Sequence, residues 1–114
     1  MQELIDFYGD PIAVYTRAEA IADGALVDVS TWARELGYLV PTAITHGLCA
    51  EIERLRGDDV PGATRYLLFV ARLQAQRQPG EELVELLVSL GGEWLRVWLE
   101  LDGDGATLMR PEDH

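Results

Sequence analysis

The side chains of His46 and Cys49 are the ones whose types and spacing could carry out nucleophilic chemistry. They are three residues apart on a helix predicted for residues 41–56, so they can face one another. A thiol beside an imidazole could be a cysteine nucleophile with its base, or half of a metal site. The sequence offers no second Cys or His pair, since the remaining histidine is the C-terminal His114. We therefore predict a buried cysteine beside a partly exposed histidine, with no catalytic residue, no metal and no cofactor.

Tyr15 and Arg17 are the polar candidates for binding a small ligand. A tyrosine and an arginine beside two short predicted helices could hold an anion or a carboxylate. The simpler interpretation pairs Arg17 with one of the many local acids, because surface ion pairs are common and weak. A ligand-binding or enzymatic domain that uses Tyr15 and Arg17 is therefore kept as an alternative function.

Carboxylates near the N-terminus could form a pair for acid–base catalysis. Such a pair works only where the two environments separate the pKa values of its members. Asp23, which precedes Gly24, is more simply a residue of a helix end and turn. The carboxylates concerned are Asp6, Asp10, Asp23 and Asp28.

The segment Asp102-Gly103-Asp104-Gly105 has the beginning of a calcium-binding loop. The twelve-residue pattern further requires an oxygen ligand at Ala106, a glycine at Thr107 and a glutamate at Asp113. All three positions fail. We therefore predict a tight hairpin turn, in which Asp-Gly pairs tolerate the positive φ angles.

The strongly acidic composition narrows the classes of partner. The sequence contains twenty acidic residues, nine arginines and no lysine, which gives a net charge of −11. Such a surface repels nucleic acids and anionic membranes and attracts basic protein surfaces. A GC-rich genome or a salt-rich cytoplasm would also produce this composition without any specific partner. The three acidic clusters, which could together form an extended negative face, are Glu51-Glu53-Asp58-Asp59, Glu81-Glu82-Glu85 and Glu100-Asp102-Asp104.

Short elements are predicted before residue 41. Thr16 and Glu19 have the spacing of a capping box, which begins a helix. Gly24 and Gly37 are suited to end helices because glycine adopts the left-handed conformation easily. Ser30 is the predicted N-cap of the second helix. The predicted elements are a strand over residues 12–15, a helix over 16–23, an extended segment over 25–29 and a helix over 31–36.

Two longer helices are predicted in the middle of the chain. Both begin with a proline in the first turn, at Pro41 and at Pro61. Their apolar residues recur every three or four positions, and we expect an antiparallel helix hairpin. The apolar stripes are Ile44, Leu48, Ile52 and Leu55 in the first helix, and Ala63, Tyr66, Leu67, Val70 and Leu73 in the second.

Alternating patterns follow residue 80 and predict an antiparallel meander. Residues 83–90 fit both a strand and a helix, and the strand is favoured; Gly91-Gly92 forms a turn. Residues 94–101 and 106–109 read as strands, and Pro111 ends the last of them. Trp94 and Trp98 point to the same side of their strand. If that side is exposed, the two tryptophans are a natural interface anchor.

Residues 15–29, with the sequence YTRAEAIADGALVDV, resemble the opening block of a family of small bacterial proteins. Many members of this family, a domain of unknown function, are carried on plasmids and phages. The similarity continues over residues 33–45 and over residues 99–113, and it is weakest over residues 51–90. The resemblance implies a host-defence antagonist or an element-maintenance factor, and it assigns no catalytic residue.

The sequence as a whole predicts a single α+β domain over residues 1–114. We expect a small antiparallel sheet packed on one face by the central helix hairpin, with two short N-terminal helices. No signal peptide is evident, so we expect a cytoplasmic protein. The expected function is non-enzymatic: an acidic binding protein that inhibits or modulates a basic, nucleic-acid-handling or host-defence partner. A structural homodimer is a further alternative. The predicted partner-binding residues are Glu51, Glu53, Asp58, Asp59, Glu81, Glu82, Glu85, Glu100, Asp102, Asp104, Trp94 and Trp98.

Overall fold

The structure is a computed structural model that describes residues 15–114. Asp6, Asp10 and the predicted strand before Tyr15 lie outside the described residues. The helices are α1 (Arg17–Asp23), α2 (Ser30–Glu35), α3 (His46–Arg56) and α4 (Val60–Gln76), followed at the C-terminus by a 3-10 helix (Pro111–Asp113). The strands are β1 (Leu26–Asp28), β2 (Thr42–Thr45), β3 (Leu83–Leu90), β4 (Glu93–Asp102) and β5 (Gly105–Met109).

The five strands form one mixed sheet in the order β1-β2-β5-β4-β3. Strands β3, β4 and β5 are antiparallel neighbours, which confirms the predicted meander. The N-terminal strands extend the sheet beyond this meander, because β2 pairs with β5 in parallel and β1 pairs with β2 antiparallel. The predicted α+β fold with its central helix pair is confirmed, although the sheet is not wholly antiparallel.

The core lies between one face of the sheet and helices α3 and α4. Alternate residues of β3 are fully or almost fully buried against these helices, as the alternating pattern requires. Leu48 and Ile52 of α3 and Leu67 and Leu68 of α4 are inaccessible to solvent or nearly so, and they belong to the same apolar cluster. The helices thereby cover one face of the β3–β4 hairpin.

The prediction of one continuous helix from Pro41 is wrong at its beginning. Residues Thr42–Thr45 form β2, and the helix starts only at His46. β-branched threonine and isoleucine favour a strand, and pairing with both β1 and β5 supplies the backbone hydrogen bonds. Thr45 then caps α3, since its hydroxyl accepts a hydrogen bond from the Leu48 amide at 3.2 Å.

The helix-capping signals predicted before residue 41 are confirmed, except that the N-cap of α2 is not at Ser30. The Thr16–Glu19 capping box is present, and α1 ends at Gly24 in the left-handed conformation, with φ of 84°. Ser30 is not the N-cap of α2, because it is already the first helical residue. The Asp28 carboxylate accepts a hydrogen bond from the Ser30 amide at 2.9 Å; the Ser30 side chain first, and then this amide, lower the Asp28 pKa.

Candidate protein interface

The β3–β4 hairpin has an exposed face on the side away from α3 and α4. Because side chains alternate along a strand, the residues between the buried positions point to this second side. We call this surface the open face; its residues are Leu83, Glu85, Leu87, Trp94, Arg96 and Trp98. Trp94 is 73% exposed and Leu87 is 60% exposed, which is unusual for large apolar side chains. The open face is therefore an apolar surface with interspersed charges.

The two tryptophans of the open face differ in how firmly they are held. The Trp98 indole Nε1 donates a hydrogen bond to Glu85 Oε2 at 2.7 Å. Its ring also packs edge-to-face on His114 at a centroid distance of 5.4 Å, and His114 Nε2 lies 3.1 Å from Glu100 Oε2. Trp98 is thus fixed and half-buried, whereas the exposed Trp94 is available to a partner.

Five carboxylates gather at the end of the hairpin away from the Gly91-Gly92 turn. The β3–β4 register places Leu83 opposite Glu100, and the Leu101 amide donates to the Glu82 carbonyl at 2.7 Å. Residues 81 and 82 therefore lie beside the β4–β5 turn. We call this cluster the acidic end; its residues are Glu81, Glu82, Glu100, Asp102 and Asp104.

Among residues 15–114, the acidic end has one contact with a basic side chain, that of Glu100 with His114 at 3.1 Å. Within residues 15–114, no arginine forms an ion pair with any of its five carboxylates. Asp102 accepts the amides of Asp104 and Gly105, so it also shapes the turn. Of the three acidic clusters expected to form one face, the hairpin register thus brings together Glu81, Glu82 and the 100–104 segment.

Glu51 and Asp58, two more of the predicted acids, lie at the opposite end of the hairpin. Arg54 bridges Glu51 and Glu93 with contacts of 3.0 and 3.2 Å, and its hydrogen bonds lower the Glu51 pKa. Arg56 holds Asp58 at 3.0 Å and lowers the Asp58 pKa in the same way. β4 separates these residues from the acidic end by roughly 30 Å, at about 3.3 Å per residue. The structure does not bring the three clusters into one patch.

The last three of the predicted partner-binding acids have local contacts. Asp59 caps α4 by accepting the Gly62 amide at 3.0 Å. Glu53 is exposed on α3, where its Oε1 atom lies 3.9 Å from the Cys49 sulfur. Glu85 contacts Arg96 at 3.7 Å as well as Trp98, and this exposed ion pair contributes little to stability.

Arg17 connects α1 to the sheet on the side opposite α3 and α4. Its Nη2 donates to Thr107 Oγ1 at 2.7 Å and to the Ala106 carbonyl at 3.2 Å. Its Nη1 is buried and has no hydrogen-bond partner among the described residues. Tyr15 donates its hydroxyl proton to Asp23 Oδ2 at 2.9 Å, and this bond raises the Tyr15 pKa. These contacts favour a structural role for Arg17.

Arg17→Ala is expected to lower the free energy of unfolding by about 2 kcal/mol. The substitution removes hydrogen bonds from a charged donor and leaves Thr107 and the Ala106 carbonyl without their partner. Urea denaturation followed by circular dichroism measures the change. Arg77→Ala, in a side chain with no ion pair among the described residues, should change stability by less than about 0.5 kcal/mol. Equal effects would contradict the assigned role of Arg17.

Cys49 and His46 do not form an activated pair. The Cys49 pKa is raised, first by burial and then by the nearby Glu53 carboxylate, so the thiol stays protonated at neutral pH. No group of three or more His, Cys, Asp or Glu side chains within residues 15–114 is placed to hold a metal ion.

A cluster that the sequence did not reveal forms beside the first turn of α3. Asp113 accepts hydrogen bonds from Thr45 Oγ1 at 2.8 Å and from the Arg110 Nη2 at 2.8 Å. The Arg110 guanidinium packs directly on Gly47, where no side chain intervenes. An open groove of about 690 Å³ adjoins this cluster. The only local signal was the Arg–Asp spacing of three residues, and nothing pointed to Thr45.

Comparisons with known proteins give no relative: no family model, no curated protein and no solved structure matches this chain. In the part of the chain that the structure describes, no helix has the length and apolar character needed to cross a membrane.

Proposed function

We propose that this protein is a non-enzymatic binding module that holds a basic protein partner and thereby inhibits or modulates it. The observation that carries this proposal is the acidic end, where five carboxylates lie without arginine partners among residues 15–114. A net charge of −11 adds a long-range field that attracts basic surfaces.

The spacing of the acidic end supports a partner that handles nucleic acid. Glu100 and Asp102 are two residues apart on β4, which corresponds to roughly 6.6 Å along the strand. One strand of DNA is likewise a row of closely spaced negative charges, with a phosphate about every 3.4 Å along the helix axis. A groove lined with arginine and lysine would accept such a row. The resemblance of residues 15–29 to plasmid- and phage-borne proteins supports a host-defence complex as the target.

The open face supplies the apolar part of the proposed interface. Charge alone gives fast association and little specificity, whereas binding energy concentrates in a few buried anchors. Trp94 and Leu87 are exposed on the same face of the hairpin that ends in Glu81 and Glu82. A partner that covers the acidic end and extends along the hairpin would bury both of these apolar side chains.

Affinity capture with two charge-matched variants tests the proposal. The tagged protein is exposed to a nuclease-treated bacterial lysate, and captured proteins are identified by mass spectrometry. The test variant carries Glu81→Gln, Glu82→Gln and Asp104→Asn, which leaves the turn-forming Asp102 and the His114-bound Glu100 intact. The control carries Glu35→Gln, Glu53→Gln and Glu112→Gln, three exposed acids outside the hairpin.

We expect the wild-type protein and the control to capture the same basic protein. The amount captured by the test variant should be at least tenfold lower. Capture should also disappear at 1 M salt, where the Debye length is about 3 Å. Equal losses in both triple variants would indicate an effect of net charge alone. Capture that resists salt and both variants would refute the proposed acidic interface.

A further inference from the structure

Among residues 15–114, strand β3 forms one border of the sheet, and no described strand pairs with its outer edge. The bond from the Leu101 amide to the Glu82 carbonyl marks a hydrogen-bonded pair, and such pairs alternate with non-bonded ones along an antiparallel ladder. Val84 and Leu86 lie opposite Leu99 and Val97, and their backbone groups therefore point to β4. The outward N–H and C=O groups belong to Leu83, Glu85, Leu87 and Ser89. No other strand of residues 15–114 pairs with them.

This edge lacks the devices by which proteins usually prevent strand addition. Its eight residues contain one charge, no proline and no bulge, since the β3–β4 register is continuous. A long, regular and apolar edge strand is a template for another strand. The amide and carbonyl groups of β3 are thus suited to accept a neighbour.

An apolar stripe of α4 runs beside the same edge. Tyr66 lines a shallow groove together with Ser89, Leu90 and Gly91, at the end of β3. Leu73 lies two helical turns further on the same flank of α4, with Phe69 between them. Arg65 and Arg72 lie one helical turn before and after Phe69, on the neighbouring flank of α4, and contact Glu35 and Gly37 of the α2 region. The stripe residues are each partly exposed: Tyr66 by 44%, Phe69 by 47% and Leu73 by 42%.

We propose that a second copy of this chain pairs with the β3 edge, antiparallel and two-fold symmetric about Leu87. The two sheets then form one continuous sheet across the interface. The stripe on α4 faces its symmetry mate above the joined strands, so that apolar helix and strand surfaces are buried together. An interface related by a two-fold axis must be complementary to itself, and this edge is.

The sequence of β3 selects the centre of symmetry. With the axis at Leu87, each Leu87 lies beside its symmetry mate, and each Glu85 lies opposite Ser89 of the other copy. Apolar residues then face apolar residues, and the single charge faces a hydroxyl. An axis at Leu86 would instead place each Glu85 against Leu87 of the other copy, which is a poorer match.

Antiparallel pairing keeps the two acidic ends away from one another. The acidic end begins at Glu82, five residues from Leu87, so the two acidic ends are separated by about ten residues along the joined strands. At about 3.3 Å per residue this is roughly 33 Å. The distance exceeds the Debye length of about 8 Å at physiological ionic strength, so the repulsion between the two ends is screened. Parallel pairing of the two β3 strands would instead place both acidic ends side by side.

Disulfide cross-linking tests the register. The variant Leu87→Cys is made in a Cys49→Ala background. In the proposed dimer the two residues at position 87 form a backbone hydrogen-bonded pair, so their Cα atoms are about 5.5 Å apart. This separation lies within the range for a disulfide. With oxidised glutathione as the oxidant, we expect most of the Leu87→Cys protein to become a covalent dimer. The matched control, Ser89→Cys, puts its two thiols roughly 13 Å apart and should stay uncross-linked.

Sedimentation equilibrium on the purified protein tests the association itself. The wild-type protein and Leu39→Lys, which alters a side chain that is 96% exposed and lies outside β3 and the α4 stripe, should both give concentration-dependent dimers. Leu87→Lys should remain monomeric while its circular dichroism is unchanged. A wild-type protein that is monomeric at every concentration, or a Leu87→Lys protein that still dimerises, would overturn the proposal. No partner is present in these experiments, so their outcome is separate from the test of the acidic interface.

Discussion

Gly91→Ala is expected to lower the free energy of unfolding by about 3 kcal/mol, and Gly92→Ala by only about 1 kcal/mol. Both glycines have positive φ angles, 58° and 82°, as a two-residue hairpin turn requires. An added Cβ at Gly91 would collide with the backbone carbonyl of Leu55, near the end of α3. At Gly92 an added Cβ would meet no atom within 4 Å.

The two variants share the cost of a left-handed alanine, so their difference isolates the contact with α3. Urea denaturation of both proteins under the same conditions measures it. A loss of similar size in both would mean that α3 does not rest on the hairpin turn. The expected difference is relevant to function, because this contact holds the turn end of the hairpin that carries the open face and the acidic end.

The hairpin was predictable from the sequence because its signals are local. Alternation over residues 94–101, together with the glycines at the turn, predicts β4; residues 83–90 also fit a helix, and the favoured strand is the one that forms. The two-residue turn also sets the register, which brings Glu82 next to Leu101. The composition of the acidic end therefore follows from the sequence once the turn is placed, although the sequence does not separate it from the Glu51 cluster.

Strand β2 was not predictable, because its hydrogen-bonding partners are distant in sequence. Ile44 has the right spacing to Leu48 for a helix, and only pairing with β1 and β5 makes its segment a strand. Its register with β5 joins Thr42 to Ala106, across more than half of the chain. Tertiary pairing of this kind overrides local helix preference. The contact between Asp113 and Thr45 was missed for the same reason.

Asp113→Asn is expected to lower the free energy of unfolding by about 2 kcal/mol at pH 7. Hydrogen bonds from the Arg110 guanidinium come first among the causes that lower the Asp113 pKa to about 2, from the ordinary value of 3.8. Bonds from the Thr45 hydroxyl and the Arg110 amide add to the effect, and partial burial opposes it. The side chain is only 14% exposed, so water screens these bonds weakly.

The loss should depend on pH in a defined direction. The pKa of Asp113 is lower in the folded than in the unfolded protein, so its contribution is complete above about pH 4 and disappears as the pH falls toward 2. The difference between wild type and Asp113→Asn should therefore shrink by about half at pH 3. Glu112→Gln, which changes a carboxylate 66% exposed and 3.7 Å from Arg110, should alter stability by less than about 0.5 kcal/mol at any pH.

Urea denaturation at pH 7, 5, 4 and 3 measures these differences. A cost of Asp113→Asn that stays constant from pH 7 to pH 3 would show that the asparagine disturbs packing and that the charge is unimportant. The predicted pH dependence instead makes Asp113 an ionic link between the C-terminal 3-10 helix and the junction of β2 and α3, where Thr45 also caps the helix. Because His114 follows Asp113 directly and packs on Trp98, loosening this link would also free the edge of the open face.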